Sequence, residues 1–301
     1  MTSVIQTERL SKRYGSRRGR DALDLEVQQG EVFGFLGPNG AGKTTTIRLL
    51  LDLIRPTSGT ARVLGEDPRT GGVALRRRLG YLAGDFVVDG GQSAGELLTF
   101  LGNLRGGVAR ERVERLAERL ELDLHLRIKS MSKGNRQKVG LVQAFMHQPE
   151  LLILDEPTSG LDPLLQQTFM LLIGEAKAAG QTVFMSSHIL SEVQQAADRV
   201  GIVRDGMMVA VEAVETLRRR AVRHVEIHFD EPVAPDAFVG LPGVTDVRVD
   251  GPVLRCRLAG RADPLVKMAS RYAVDSIIVA EPDLEELFLT YYQEHGAADA
   301  A

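Results

Sequence analysis

The sequence predicts an α/β protein with a parallel sheet, followed by a smaller α+β domain. The apolar run Val32–Leu36 leads into a glycine-rich loop at 37–44 and then into a helical pattern at 45–51. The continuous apolar runs 151–154 and 182–185 are typical of strands that a parallel sheet buries on both faces. The carboxyl ends of such strands form the edge of the sheet at which α/β proteins bind their ligands.

Length and composition limit the possible classes of function. The 301 residues suit two domains, which we expect at 1–214 and 215–301. A formal net charge of −3 gives no reason to expect a nucleic-acid partner. The single cysteine, Cys256, excludes an intrachain disulfide and a cysteine-based zinc site. The polar first residues do not predict a signal peptide, and no apolar run approaches the roughly 18 residues that span a bilayer. We expect any membrane-spanning part to belong to another chain.

Two half-buried strands are predicted ahead of the glycine-rich loop, at 4–8 and 23–27, because apolar and polar residues alternate there. Tyr14 lies between them on a predicted loop. Its flat ring could stack on a purine base, or it could pack half-exposed against the sheet. Position alone does not separate these alternatives.

The loop at 37–44 fits the pattern G-x-x-x-x-G-K-[ST] in the strand–loop–helix context that this motif requires. Its glycines allow backbone N–H groups to face phosphate oxygens, and the start of the following helix adds a favourable partial charge. Lys43 can reach the outer phosphates, and Thr44 can offer its hydroxyl to Mg²⁺. The alternative is an ordinary glycine-rich turn that contains a lysine, which the four matching positions disfavour.

Residues 93–147 have a helical pattern. Within it, Val113, Leu116 and Leu120 recur at helical spacing with charged residues between them. We expect these three side chains to pack in the core instead of binding a ligand.

Two adjacent carboxylates, Asp155 and Glu156, directly follow the apolar run 151–154. We expect Asp155 to hold Mg²⁺ through water and Glu156 to polarise the attacking water as a general base. An acidic surface turn is the alternative, which the four preceding apolar residues disfavour. His188 follows the next buried strand and could contact a phosphate or the attacking water, or it could be a helix cap or a polar surface residue.

From about residue 213 the pattern changes to short strands and helices. Strands are predicted at 225–229, 244–249, 253–258 and 274–280, and helices at 264–272 and 283–292. This order is close to the β-α-β-β-α-β order of a ferredoxin-like split unit, with a proline-broken segment at 232–242 in the place of the first helix. The predicted domain contains no cluster of histidines, cysteines or acids that looks catalytic.

Five motifs occur in the order found in the ATP-binding-cassette (ABC) ATPases, and residues 1 to about 212 resemble this family. They are the phosphate loop, Met131-Ser132-Lys133-Gly134-Asn135, Ile153-Leu154-Asp155-Glu156, Ser159-Gly160-Leu161-Asp162 and His188. The second is a divergent form of the family pattern Leu-Ser-Gly-Gly-Gln that keeps the Ser and the second Gly. The resemblance implies a P-loop NTPase fold with an antiparallel β subdomain and a helical insertion at about 85–147.

The resemblance also implies a role for each matching residue. Tyr14 matches the aromatic residue that stacks on adenine, Glu156 the catalytic base and His188 the switch histidine. The residues that match the ATP phosphate and Mg²⁺ loop are Gly37, Asn39, Gly40, Ala41, Gly42, Lys43, Thr44 and Thr45. Thr44 and Asp155 match the metal-associated residues.

Three further residues match positions that act across a dimer. Ser132 and Gly134 match the segment that caps the γ-phosphate bound by the other subunit, and Asp162 matches the acid that communicates between subunits. Since neither ATP site is then complete in one chain, the resemblance implies two copies with ATP between them. Ser132 lies where a helix is predicted to begin, and such a helix end attracts anions.

One position departs from the family pattern. The family has a glutamine after the strand at 80–82, where it touches Mg²⁺ and water and faces the membrane partner. The aligned residue is Gly84, followed by Asp85. The hypothesis is that water or Asp85 fills the place of the missing amide.

The resemblance implies the ATP-hydrolysing subunit of a membrane exporter, similar to the subgroup that powers daunorubicin- and bacitracin-resistance or sodium-extrusion exporters. Such a subunit lies at the cytoplasmic face of the membrane and works with separate permease subunits. One alternative is a soluble cassette ATPase in translation or DNA maintenance, which the single cassette and the absence of sustained heptads disfavour. Another is a regulatory module that holds ATP without hydrolysing it, which Glu156 and His188 disfavour.

Overall fold

The computed structural model describes residues 2–14, 17–88, 90–220 and 222–280. Contacts within the chain divide it into two units, one ending at Val211 and the other beginning at Glu212. Each unit has its own hydrophobic core.

Helices separate the successive parallel strands of the central sheet, as parallel connections require. The strands up to residue 213 are β1 (Ser3–Tyr14), β2 (Arg17–Gln28), β3 (Val32–Leu36), β4 (Ser58–Val63), β5 (Leu79–Leu82), β6 (Leu151–Asp155), β7 (Thr182–Ser187), β8 (Arg199–Arg204) and β9 (Met207–Ala213). The helices are α1 (Lys43–Leu50), α2 (Gly72–Arg77), α3 (Ala94–Leu104), α4 (Arg110–Arg119), α5 (Lys133–Phe145), α6 (Pro163–Ala178) and α7 (Leu190–Ala196), with a 3-10 turn at Ile128–Ser130.

The central sheet has the strand order β5-β6-β7-β3-β8-β9, and its pairs from β5 to β8 are parallel. Residues of β6 alternate between two cores, with Leu152 and Leu154 in one and Leu151 and Ile153 in the other. The sheet is therefore covered on both faces, which explains why its strands are continuously apolar. The predicted α/β class is confirmed.

A second sheet, with the order β2-β1-β4, is antiparallel throughout and forms the predicted antiparallel β subdomain. Its inward-facing residues, among them Ile5 and Leu23, belong to the same core as β3 and α1. Tyr14 is the last residue of β1, so the prediction that it lies on a loop is wrong. The pairing of β1 with β2 extends to Tyr14 and Arg17 and makes the hairpin longer than the alternation at 4–8 and 23–27 indicated.

The helical insertion consists of three separate helices, α3, α4 and α5. A capping box between Ser93 and Glu96 starts α3, and Gly106 and Gly107, both with φ near 100°, separate α3 from α4. The predicted core residues Val113, Leu116 and Leu120 are all buried. They pack in the core cluster that also contains one face of β6.

The second unit is built on an antiparallel sheet with the order β11-β12-β10-β13. Its elements are α8 (Val214–Arg220), β10 (Arg223–Phe229), β11 (Val244–Asp250), β12 (Val253–Leu258), α9 (Asp263–Ala269) and β13 (Val274–Val279). Between β10 and β11 the chain forms only a 3-10 turn, Pro235–Ala237, so the first helix of a ferredoxin-like unit is missing there. The predicted helix at 283–292 lies outside the described residues.

His147, just after α5, is held in a largely buried and positively charged setting. Its Nε2 lies 2.8 Å from Arg105 Nη1 and 3.0 Å from Leu79 O. Burial, together with the Arg105 guanidinium, lowers the pKa of His147 to about 4. The folded protein therefore binds a proton at this ring less readily than the unfolded chain does.

This difference predicts a pH-dependent loss of stability. In the unfolded chain the His147 ring has a pKa of about 6.5. The stability that the protein gains from burying the neutral ring is therefore fully present above pH 6.5 and is lost as the pH falls towards 4. Because part of the ring is exposed, we expect the loss to be on the order of 2 kcal/mol. Urea unfolding at a series of pH values should show a shallower decline for His147→Gln than for the wild type. As a control, the same substitution at the exposed His125, His125→Gln, should leave the decline of stability with falling pH as in the wild type. Equal slopes for all three proteins would contradict the prediction.

Candidate active site

The carboxyl ends of β3, β6 and β7 meet at one edge of the central sheet. The parallel register pairs Asp155, at the end of β6, with Ser186 in β7. It also pairs Leu36, at the end of β3, with Ser187. The predicted phosphate loop, the second acid and the switch histidine follow these residues directly, so strand pairing alone brings three distant parts of the chain together.

The loop after β3 has the shape and electrostatics of an anion site. A Cβ atom at Gly37 would lie 2.3 Å from Val203 O, so only glycine permits this close approach. Gly40 and Gly42 have φ angles of 83° and 96°, in the left-handed region that favours glycine. Residues 38–40 are exposed, and α1 begins directly after Gly42 with no acidic residue in its first turn. These residues fit the phosphate groups of a nucleotide.

Hydrogen bonds fix the back of this loop. Ala41 N donates to Pro38 O at 3.1 Å, and Gly206 N donates to Ala41 O at 3.3 Å. Gly37 N donates to Ser187 O at 3.3 Å. The loop is therefore held between β7 and the turn that joins β8 to β9.

Lys43, the first residue of α1, is only 6% exposed and turns back over the loop. Its Nζ donates to Gly37 O at 2.6 Å and to Pro38 O at 3.3 Å. The same Nζ lies 3.1 Å from Glu156 Oε1, an ion pair without the geometry of a hydrogen bond. The ammonium group thus lies where it can exchange these oxygens for those of a phosphate.

Glu156 connects the phosphate loop with the histidine. Its Oε2 lies 2.7 Å from Nδ1 of His188, while its Oε1 faces Lys43. Glu156 has a φ of 48°, which costs an L-residue about 1 kcal/mol or more. The surrounding chain maintains this conformation, because Glu156 N donates to both O and Oγ of Ser186 at 3.2 Å. Gln137 Nε2 donates to the carbonyl oxygen of Glu156 at 3.3 Å.

Asp155 is 1% exposed and lies deeper in the same edge. Ser186 Oγ donates to its Oδ1 at 2.5 Å. Its Oδ2 lies 3.2 Å from the place that a Cβ at Gly84 would occupy. Burial and the Asp155 carboxylate raise the pKa of Tyr81, which keeps the phenol neutral beside this acid.

The predicted metal and nucleotide residues are distributed around these groups. Thr44 and Thr45 continue α1 and are half-buried, and Asn39 is exposed on the loop. Thr44 and Asp155 supply the hydroxyl and carboxylate oxygens that Mg²⁺ prefers, so they fit the ion that accompanies ATP. Tyr14 is 48% exposed, so its ring is accessible to a base, although Lys12 Nζ lies over the ring at 5.4 Å from its centre.

The residues predicted to act across a dimer lie at the starts of two other helices. Ser132 caps α5 by accepting from Asn135 N at 3.3 Å, and Asp162 caps α6 by accepting from Leu164 N at 3.0 Å. A Cβ at Gly134 would lie 2.8 Å from Gly160 O, so the two segments are in close contact. Among the described residues, no hydrogen bond joins Ser132, Gly134 or Asp162 to the phosphate loop.

Sequence patterns alone do not indicate a functional role for Ser186 or Gln137. Ser186 belongs to the polar end of a buried strand, Ser-Ser-His, and that polarity could have identified it. Gln137 lies in the middle of α5 and is buried, but its contact with the carbonyl oxygen of Glu156 depends on helix packing that no local pattern encodes.

A glycine-rich phosphate loop after β3, an acid pair after β6 and a histidine after β7, the strand that lies between those two in the parallel sheet, together define a phosphate-loop nucleoside triphosphatase. Comparison with known proteins gives the particular family. The profile of the ABC transporter family matches residues 21–159. The chain belongs to the family of ABC transporter ATP-binding proteins, whose members bind ATP with Mg²⁺ and hydrolyse it.

Relatives match almost the whole chain. It is 34% identical over 297 residues to the bacitracin transport ATP-binding protein BcrA of Bacillus licheniformis, a match that covers 96% of this chain and 97% of BcrA. It is 33% identical over 300 residues to the daunorubicin resistance ATP-binding protein DrrA3 of Streptomyces coeruleorubidus, covering 95% of each chain. A solved ATP-binding subunit of an ABC transporter is 30% identical with a TM-score of 0.66, covering 72% of this chain and 92% of that one.

These relatives support the transporter class and give no support to a soluble translation or DNA-maintenance factor. Within the described ranges, no helix combines the length and the apolar character needed to cross a membrane.

The position of Gly84 predicts how the Mg²⁺ shell is completed. Gly84 has no side chain beside Asp155, and Asp85 is exposed, so we expect water to replace the missing amide. Asp85→Ala should leave the Mg²⁺ concentration for half-maximal ATP hydrolysis unchanged, whereas Asp155→Asn should raise it. A raised Mg²⁺ requirement in Asp85→Ala would instead show that the Asp85 carboxylate takes the position of the missing amide.

Proposed function

We propose that this chain is the ATP-hydrolysing subunit of an ABC exporter and works with separate integral-membrane permease subunits at the cytoplasmic face of the membrane. The support is the match over nearly the full length of relatives that are named for bacitracin transport and daunorubicin resistance. The proposed nucleotide-binding domain is 1–214 with its helical insertion at about 85–147, and 215–301 is an accessory domain.

The proposed general base is Glu156, and the observation that carries this assignment is the position of its carboxylate between Lys43 and His188. ATP supplies the phosphate oxygens that compete for the Lys43 ammonium. With Lys43 on the phosphates, Glu156 Oε1 is free to accept a proton from the attacking water, while His188 keeps Oε2 oriented. Lys43 stabilises the negative charge on the outer phosphates.

The remaining site residues have proposed roles in binding. Tyr14 stacks on the adenine, and Thr44 and Asp155 hold Mg²⁺. The loop residues that cradle the phosphates are Gly37, Asn39, Gly40, Ala41, Gly42 and Thr45. Backbone N–H groups at the start of α1 supply most of this contact, which explains why glycines prevail.

The proposed working unit is a pair of copies with ATP between them. The starts of α5 and α6 have no hydrogen bond to the phosphate loop of their own chain among the described residues, and the N-terminus of α5, capped by the neutral hydroxyl of Ser132, attracts anions. Ser132 and Gly134 of one copy then cap the γ-phosphate of the ATP bound to the other copy, and Asp162 lies at the interface between the two copies. ATP binding closes the pair, and hydrolysis reopens it.

The general-base assignment predicts separable effects on binding and turnover. Glu156→Gln removes the proton acceptor but keeps the shape of the side chain, so ATP should bind while turnover falls at least ~10²-fold. Lys43→Ala removes the ammonium from the loop and should abolish ATP binding or hydrolysis. Equilibrium ATP binding and phosphate release by the purified chain measure both effects. Near-normal turnover in Glu156→Gln would exclude it as the base.

The exporter proposal predicts a membrane partner. The tagged chain, purified from detergent-solubilised membranes of its own source, should bring down a polytopic membrane protein, and reconstitution of the two should raise the rate of ATP hydrolysis. Lys43→Ala should still bring down the same partner, since the change lies in the nucleotide loop. Association with ribosomes or DNA in place of a membrane protein would contradict the proposal.

A further inference from the structure

Glu192, in α7, is a buried carboxylate with an unusual pair of partners. It is 7% exposed. Thr158 Oγ1 donates to its Oε1 at 2.5 Å, and Ser187 Oγ donates to its Oε2 at 2.7 Å. Within the part of the chain that the structure describes, no lysine, arginine or histidine forms an ion pair with it. Both oxygens are therefore satisfied by neutral hydroxyl groups.

These two hydroxyls belong to the segments that contain the two reacting side chains. Thr158 follows Glu156 and Pro157 at the end of β6, and Ser187 immediately precedes His188 at the end of β7. Glu192 thus joins the two strand ends a second time, in addition to the contact between Glu156 and His188.

The connection also includes the backbone on both sides. Ser187 Oγ accepts from Ile189 N at 2.9 Å, so the Ser187 hydroxyl is fixed from both directions. Thr158 O accepts from Leu161 N at 3.0 Å, which folds the chain after the acid into a turn. The carboxylate of Glu192 therefore restrains the residues on either side of His188 and the residues that follow Glu156.

Burial of an unpaired carboxylate is unfavourable, and so is the left-handed backbone of Glu156. Each costs free energy that an apolar side chain at 192 and an extended residue at 156 would avoid. The buried Glu192 carboxylate and the left-handed backbone of Glu156 support the same arrangement. The turn at Glu156 directs its carboxylate at His188, and Glu192 connects that turn to the segment that contains the histidine.

We propose that Glu192 is a positioning residue for ATP hydrolysis, which holds the Glu156 carboxylate and the His188 ring at their working distance through Thr158 and Ser187. This inference rests on the proposed roles of Glu156 and His188. Glu192 itself makes no direct hydrogen bond to the phosphate loop among the described residues, so it acts on turnover and not on the binding of ATP.

The first test compares three substitutions that alter the connection in graded ways. Glu192→Ala removes both acceptors and should lower kcat roughly 10- to 100-fold, the scale of a misplaced catalytic group, while the KM for ATP stays unchanged. Glu192→Gln can keep both contacts if one hydroxyl reverses its direction, so it should recover most of the activity. Thr158→Val removes a single hydroxyl with little change of shape and should fall between them.

A double-mutant cycle separates positioning from general destabilisation. If Glu192 acts through the histidine, then Glu192→Ala should have little further effect on kcat in the His188→Ala background. A purely structural loss would lower the activity by the same factor in both backgrounds.

A matched control is Glu31→Gln at the opposite edge of the sheet. Glu31 accepts from Gln28 N at 2.6 Å and from Arg199 Nη1 at 3.1 Å, so the change removes charge from a second well-bonded acid. It should lower the Tm without changing kcat.

The outcomes distinguish this inference from the proposed function. Full kcat in Glu192→Ala, or equal losses in both backgrounds, would overturn the positioning role while Glu156→Gln and His188→Ala keep a strongly reduced but measurable turnover. Full turnover in Glu156→Gln and His188→Ala would instead overturn the proposed function. If Glu192→Ala does not fold, the other two variants decide the question. A lowered kcat of Thr158→Val at unchanged KM, with most of the activity kept in Glu192→Gln, supports the positioning role, whereas full kcat in Thr158→Val overturns it.

Discussion

The parallel register of β6 against β7 and of β7 against β3 is the constraint on which the site depends. It pairs Asp155 with Ser186 and Leu36 with Ser187, and it thereby places three chain segments at one edge although they are far apart in sequence. The phosphate loop, the acid pair and the histidine all lie at this edge. A shift of register by one residue would exchange the side chains that pack in the two cores and would also separate the acid pair from the histidine. Stability and chemistry are thus determined by the same hydrogen-bond ladder.

Much of this arrangement could be predicted from the sequence because its signals are local. The phosphate loop needs glycine where Gly37 approaches Val203 and where Gly40 and Gly42 have positive φ, and these requirements leave a recognisable pattern. The acid pair is indicated in the same way by the apolar run before it. The contacts of Glu192 leave no such pattern, since its partners lie on two different strand ends and are ordinary hydroxyl residues. The extension of β1 to Tyr14 is not predicted from the sequence, because register shifts along β1 disturb the alternation of apolar and polar residues.

The second unit illustrates the same limit. Its strands follow from alternating apolar residues, and the turn between β11 and β12 contains Gly251 with a φ of 58°. The strand order β11-β12-β10-β13 depends on which edges pair, which no single strand specifies. The segment with the 3-10 turn at Pro235–Ala237 still contributes Phe238, which is fully buried and packs its ring 5.8 Å from that of Phe229. One aromatic side chain therefore occupies core space that a helix could otherwise fill.

The bracing of the phosphate loop has a consequence for how this chain could be divided. The oxygen that Gly37 approaches belongs to Val203, and the N–H that holds Ala41 belongs to Gly206. His188 is the last of the candidate catalytic residues along the chain, and the match to the family profile ends even earlier, at residue 159. A fragment cut just after the histidine would contain every candidate catalytic and nucleotide-binding side chain but would lack Glu192 and the β8–β9 hairpin behind the loop. The smallest autonomous nucleotide-binding piece is therefore defined by the last strand of the sheet, not by the last residue of the motifs.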